Sequence, residues 1–194
     1  MKKLLYAIPV LLIAACGNKK SGEEKNTQPA PVEVTASTTS AAFNASFEEV
    51  LAQYYALRDA LVGDDSTAAN RAAGALITAS ANVKLDELKS IDTSNIIIPT
   101  AKSYGDNITS ESKGLLGETD IEQKRKSFQM ISGALFDYVR TVRFDKQKVY
   151  LLHCPMAFDN TGADWISNTT EIKNPYFGKK MLTCGAVKDS VIFK

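Results

Sequence analysis

Four stretches between residues 46 and 142 repeat apolar side chains at the spacing of one helical face, with short breaks between them. This pattern restricts the fold more than any other feature, because a period near 3.6 residues does not suit a strand. In the first stretch Phe47, Val50, Leu51, Tyr54, Leu57 and Leu61 share a face, and Ser46 with Glu49 predicts a capping box at its start. Gly63, Asp64 and Asp65 interrupt it, and Asp65 or Ser66 offers the next N-cap. Ala68, Ala69, Ala72, Ala75, Leu76, Ala79 and Val83 form a stripe of mostly small residues, which predicts a central helix that neighbours approach closely. A loop over Asp92–Pro99 precedes a third helix from about Thr100 to Leu116, with Tyr104, Ile108 and Leu115 inward. Gly117 stops it, Thr119 and Glu122 predict another capping box, and Ile121, Phe128, Ile131, Leu135, Tyr138, Val139 and Val142 line the fourth helix. The expectation is a mainly α protein, an antiparallel four-helix bundle over residues 46–145.

Residues 146–194 follow different rules. Val149–Leu152 reads as a short strand and Val191–Phe193 as a partner for it, with loop-rich chain between them. The segment is expected to form a small cap on the bundle.

The N-terminus carries a targeting pattern. Met1–Lys3 is basic, and Leu4–Ala14 is apolar but too short to span a bilayer. Ile13-Ala14-Ala15-Cys16 resembles the lipobox of bacterial lipoproteins, which implies a signal peptide over 1–15 and acylation of Cys16. Residues 16–45 are rich in Ser, Thr, Pro, Lys and Glu and read as a lipidated cysteine followed by a flexible tether. The resemblance implies a membrane partner through Cys16 and a periplasmic location. Gly17 and Asn18 lack the aspartate retention signal of that family, which favours the outer membrane. Removing residues 1–15 lowers the 23 basic side chains by two, to 21 against 22 acidic, so no basic excess points to nucleic acid.

Of the three cysteines, Cys154 and Cys184 then remain as free thiols. Cys154 lies in His153-Cys154-Pro155-Met156, and Met181 precedes Cys184 by one turn's spacing. Along an extended chain Tyr150, Leu152, Cys154 and Met156 share a face and His153 takes the other. On a helical turn Met181 and Cys184 would also share a face. Thiolates and thioethers are soft donors that suit Cu(I). Cys154, Met156, Met181 and Cys184 are therefore candidate ligands, with the only histidine, His153, behind them. In an exported domain the same two cysteines also suit a disulfide, and that alternative stays open. Enzyme chemistry finds little footing: adjacent Cys154 and His153 point apart on a strand, and no phosphate loop or nucleophile elbow is present.

The segment Tyr150–Val187 resembles the C-terminal signature of a bacterial domain-of-unknown-function family. Its words here are Tyr150, Cys154-Pro155-Met156, Trp165, Asn174-Pro175-Tyr176-Phe177-Gly178, Met181 and Cys184-Gly185. Members are exported lipoproteins or extensions of periplasmic adaptor proteins in heavy-metal efflux systems. The resemblance implies a lipid-anchored protein that buffers Cu(I) or Ag(I), or hands it to an efflux adaptor or another envelope protein. The alternative is a disulfide-stabilised interaction module of the envelope. The same words are similar to small heavy-metal-binding segments of copper transporters, whose second Cys-x-x-Cys is missing here; zinc, which prefers four firm Cys or His ligands, is thereby disfavoured.

Overall fold

Ser40, not Ser46, opens the first helix. Its hydroxyl accepts the Phe43 amide at 3.1 Å, and α1 runs Ala41–Val62 in the computed structural model, which describes residues 39–193. The expected signal peptide (1–15), the lipidated Cys16 and most of the tether lie outside the described residues. Ser46 does other work: its hydroxyl donates to the Phe43 carbonyl at 2.8 Å and accepts the Lys84 amide at 3.0 Å, pinning the chain beyond the second helix to α1.

Helix α2, Ser66–Ala81, starts where Asp65 Oδ1 accepts the Ala68 amide at 2.8 Å. Helix α3, Ile97–Gly117, begins inside the expected loop. The reason is Asp92, whose carboxylate accepts the amides of Ile96, Ile97 and Ile98 at 2.7, 2.9 and 3.0 Å. Pro99 has no N–H to satisfy, so the first turn leaves no orphan donor there. Burial of the Asp92 carboxyl works to raise its pKa, but the three amides outweigh that and hold it below the usual carboxylate value. Helix α4, Ile121–Thr141, is capped by Asp120 rather than Thr119, through the Glu122 amide at 3.2 Å. Lys124 in its first turn is buried and bonds the Leu115 and Glu118 carbonyls at the end of α3, placing a cation where the helix dipole favours one.

Each helix packs on the next, α1 on α2, α2 on α3, α3 on α4. The small-residue stripe is the reason the middle can close: Ala69, Ala72, Leu76 and Ala79 are buried, and so is Ala73, which the stripe did not include. The first and last helices meet through larger groups. Phe47 lies edge-on to Tyr138 with centroids 4.8 Å apart, and Tyr54 stacks on Phe128 at 5.1 Å. No helix among the described residues is long and apolar enough to cross a membrane.

The remaining chain forms a three-stranded antiparallel sheet, ordered β2-β1-β3: β1 Val149–Cys154, β2 Ala163–Ser167, β3 Ala186–Val191. The strand expected at Val191–Phe193 is thus placed earlier, sharing only Val191, which pairs with Val149. Lys188, Asp189 and Ser190 mask it as a strand, and they stand on an exposed edge where charge is ordinary. β2 is a strand where a loop was expected. It is buried on both faces, Trp165 and Ile166 alike, because it packs on α4, so it shows no alternation to read. Its Ile166 amide is taken by the buried Tyr54 hydroxyl of α1 at 3.0 Å, a direct bond between bundle and cap.

Candidate functional site

The sheet brings the cysteines together. Cys154 is the last residue of β1, and His153 pairs with Ala186, the first residue of β3, so Cys184, two residues before β3, falls beside Cys154. The two sulfurs stand 2.9 Å apart. Cys154 is fully buried and Cys184 half-buried, and both are free thiols. A covalent S–S bond is about 2.05 Å. Two thiolates each about 2.3 Å from one ion would sit roughly 3.5–4 Å apart at tetrahedral angles. The observed spacing lies between these, within about 1 Å of either.

The methionines flank Cys184 through backbone. The Met156 amide donates to the Cys184 sulfur, and the Cys184 amide donates to the Met181 carbonyl at 3.1 Å. Met181–Cys184 is therefore a β-turn, not the helical turn expected from the spacing. Met156 has left the strand after Pro155 and is 46 % exposed; Met181 is half-buried. The chain then makes a left-handed turn, with Phe158, Asp159 and Asn160 at φ 51°, 57° and 65°, a conformation that costs non-glycine residues about 1–2 kcal/mol each. The Cys154 thiol, then burial, push the Cys184 pKa above the ordinary cysteine value, while the Met156 amide works the other way.

His153 is held elsewhere. Its Nδ1 meets Asp164 Oδ1 at 2.6 Å, and Asp164 Oδ2 meets Lys188 Nζ at 2.8 Å. Its neighbour Cys154 is buried while His153 is partly exposed, as the pleat requires of adjacent residues. Among the described residues, no three His, Cys, Asp or Glu side chains come together as a metal-holding group.

The other signature words surround this pair. Asn174 is fully buried; its Oδ1 accepts the Tyr176 amide at 2.7 Å and its Nδ2 donates to the Cys184 carbonyl at 2.8 Å. Tyr176 donates its hydroxyl proton to the Asp164 carbonyl and lies edge-on to Trp165 at 6.0 Å. Gly185 has φ +139°, and a Cβ there would sit 2.8 Å from the Trp165 ring and from the His153 carbonyl oxygen. Gly178 has φ +55°, and a Cβ there would come 2.1 Å from Asp64 Oδ1 and 2.6 Å from an Arg125 nitrogen. Both glycines are imposed by neighbours.

Arg125, which no pattern in the sequence singled out, joins these words to the bundle. Its buried guanidinium donates to the Pro175 carbonyl at 2.8 Å, the Leu61 carbonyl at 3.1 Å, Asp64 at 2.6 Å and Glu122 at 2.7 Å. Asp64 also accepts the Lys179 amide at 3.3 Å. Burial works to raise the Asp64 pKa, but Arg125 and the Lys179 amide prevail and hold it below the usual carboxylate value. A polar cleft lined by Arg58, Trp165, Ser167 and Lys173 includes neither cysteine in its walls and has no side chain suited to soft-ion chemistry.

A family model described as "Protein of unknown function (DUF3347)" matches residues 50–147, half of the chain. No curated protein and no solved structure matches. The match runs from within α1 past the end of α4 and stops before β1, so the Cys-Pro-Met and Cys-Gly words lie outside it.

Proposed function

We propose, for a chain that belongs to the DUF3347 family of proteins of unknown function, a role as a soft-metal binding protein whose site sits in the cap. Cys154 and Cys184 would hold Cu(I) or Ag(I) as thiolates, with Met156 and Met181 as thioether donors. His153, engaged by Asp164, stays outside the first set of donors. A lipid on Cys16 would keep the protein on the periplasmic side of the outer membrane, where it would buffer the ion or pass it to an efflux adaptor. The protein would turn over no substrate.

One observation carries this reading: two free thiols from segments thirty residues apart meet at 2.9 Å, with both methionines bonded through backbone to the same cysteine. Because Cys184 is pushed towards its protonated form, ion uptake must release a proton, and apparent affinity should rise with pH through the thiol range. The second reading, a disulfide-stabilised interaction module of the envelope, draws on the same spacing.

The test uses the full chain carrying Cys16→Ser, so that two thiols remain. Two reactive thiols without reductant, and one Cu(I) held per chain against a competing chelator, are expected. Cys154→Ser or Cys184→Ser should abolish that uptake, and Met156→Leu with Met181→Leu should weaken it. If neither thiol reacts until reductant is added, and Cu(I) uptake ignores both serine substitutions, the disulfide module replaces the metal reading.

A further inference from the structure

We infer that the sulfur pair is built before any ion arrives, and that Asn174 is the residue that positions Cys184 in it. The inference deepens the metal reading, but half of its test needs no metal.

Cys154 is placed by β1, the central strand, with neighbours on both sides. Cys184 has no such support. It ends a β-turn in a segment that, from residue 168 to 185, contains no strand and one short 3₁₀ turn. A segment of that kind opens easily unless its backbone is tied down. The ties converge on Asn174. Its own N–H donates to the Leu182 carbonyl and its Nδ2 to the Cys184 carbonyl, both at 2.8 Å, so two carbonyls of the cysteine turn are held by one residue. Its Oδ1 accepts the Tyr176 and Phe177 amides at 2.7 and 3.3 Å, and its carbonyl accepts the Gly178 amide at 3.1 Å. A fully buried amide side chain is costly unless paired, and this one is paired on both its oxygen and its nitrogen.

Asn174 is itself anchored. Arg125 holds the next residue, Pro175, and Asp64 holds the Lys179 amide, so the strap is fixed to the ends of α1 and α4 at two points. One sulfur therefore rides on the sheet and the other on a strap riveted to the bundle. The ordering of both is completed on folding and need not be repeated on binding, which is what lets the two thiols grip a small ion.

The oxygen and nitrogen of Asn174 do separable jobs, and Asn174→Asp separates them. A carboxylate still accepts the Tyr176 and Phe177 amides but cannot donate to the Cys184 carbonyl. The full chain with Cys16→Ser is compared with its Asn174→Asp form in two assays. In a glutathione redox buffer, oxidised glutathione takes two electrons from the thiol pair, two reduced glutathiones leave, and the Cys154–Cys184 bond forms. The equilibrium gives the effective concentration of one thiol at the other. In the second assay, Cu(I) is partitioned against a chelator. The effective concentration should fall at least tenfold in the variant, and Cu(I) affinity by roughly 10–100-fold, as for other residues that orient a ligand. Far-UV circular dichroism should stay unchanged.

Values within twofold of the parent, with the fold intact, overturn the inference. A second measurement needs no variant: the Asn174 and Cys184 amides should already be protected from hydrogen exchange in the reduced, metal-free chain. Rapid exchange that slows only on adding Cu(I) would show a site assembled by the ion, and would equally overturn it. If the parent takes up no Cu(I) while the glutathione values still separate, the metal reading falls and the positioning role of Asn174 stands.

Discussion

The bundle and the cap are held by different kinds of interaction. Bundle stability comes from apolar area: Phe43, Phe47, Val50, Leu51, Leu57 and Leu61 along α1 are all fully buried, as are Phe128, Ile131, Leu135 and Val139 along α4. The cap has an aromatic centre in Trp165 and Tyr176, but its loop is shaped by directional bonds from Asn174, Arg125 and Tyr176 to backbone carbonyls. Non-directional burial tolerates substitution as long as volume and pattern persist. Hydrogen bonds to fixed carbonyls do not, and a sulfur pair needs placement to a fraction of an ångström. Chemistry in this fold falls on the part that directional bonds position, carried by the part that apolar packing stabilises. The family match follows the same division, lying on the helices at 50–147 while every candidate ligand falls beyond it.

The sharpest way to break this contrast is to empty the cap's centre. Trp165→Ala should cost about 3–5 kcal/mol, the usual penalty for truncating a buried tryptophan. In a urea titration followed by amide exchange, the cap should open first and α1–α4 should keep their helical signal. A single transition with equal loss in both regions would show that they are one cooperative unit.

A smaller effect is expected at the tie between them. Arg125→Met keeps volume but strands the Pro175 and Leu61 carbonyls and leaves Asp64 without its cation. The loss should be about 3 kcal/mol, near the lower end for breaking a buried charged pair because Asp64 and Glu122 remain partly in water. Amides of residues 174–184 should exchange much faster while those of α2 and α3 hardly change. Protection lost equally in all helices would place Arg125 in the bundle's own stability instead.

The smallest effect is one of pH. The Asp64 carboxyl is held below its ordinary value in the folded chain, so its ionised form favours folding. That contribution is complete above an unfolded pKa of about 3.9 and is lost as pH falls through this value and then through the lower folded one. Asp64→Asn should therefore cost about 1 kcal/mol or less at neutral pH, in keeping with a partly exposed partner, and should flatten the fall in stability below about pH 4. An unchanged acid slope in thermal melts would assign that slope to other carboxylates, Asp92 first among them.

The helices were legible because each face repeats within a few residues, and the residues read as inward on α1 and α4 are buried, apart from the half-buried Ile121 at the start of α4. Their starts were less so. Ser46 and Thr119 carry cap signals as good as those of Ser40 and Asp120, and the choice depends on which hydroxyl or carboxylate has a more valuable partner, as Ser46 has in Lys84. Asp92 was invisible as a cap because it reaches α3 from outside the helix. In the cap, Cys154 and Cys184 stood out by residue type. The grip of Asn174 on Cys184, ten residues on, has no periodic trace.

Local order was written in the chain: periodic apolar faces and glycine breaks specify four helices wherever they lie, because those forces act over three or four residues. Long-range placement was not. That Cys154 meets Cys184, that His153 turns to Asp164 and that Arg125 reaches Pro175 fifty residues away depend on sheet register and on how the cap sits on α4. Such pairings are settled only when distant segments compete for the same burial and the same hydrogen-bond partners, and a string of residue types does not hold the outcome of that competition.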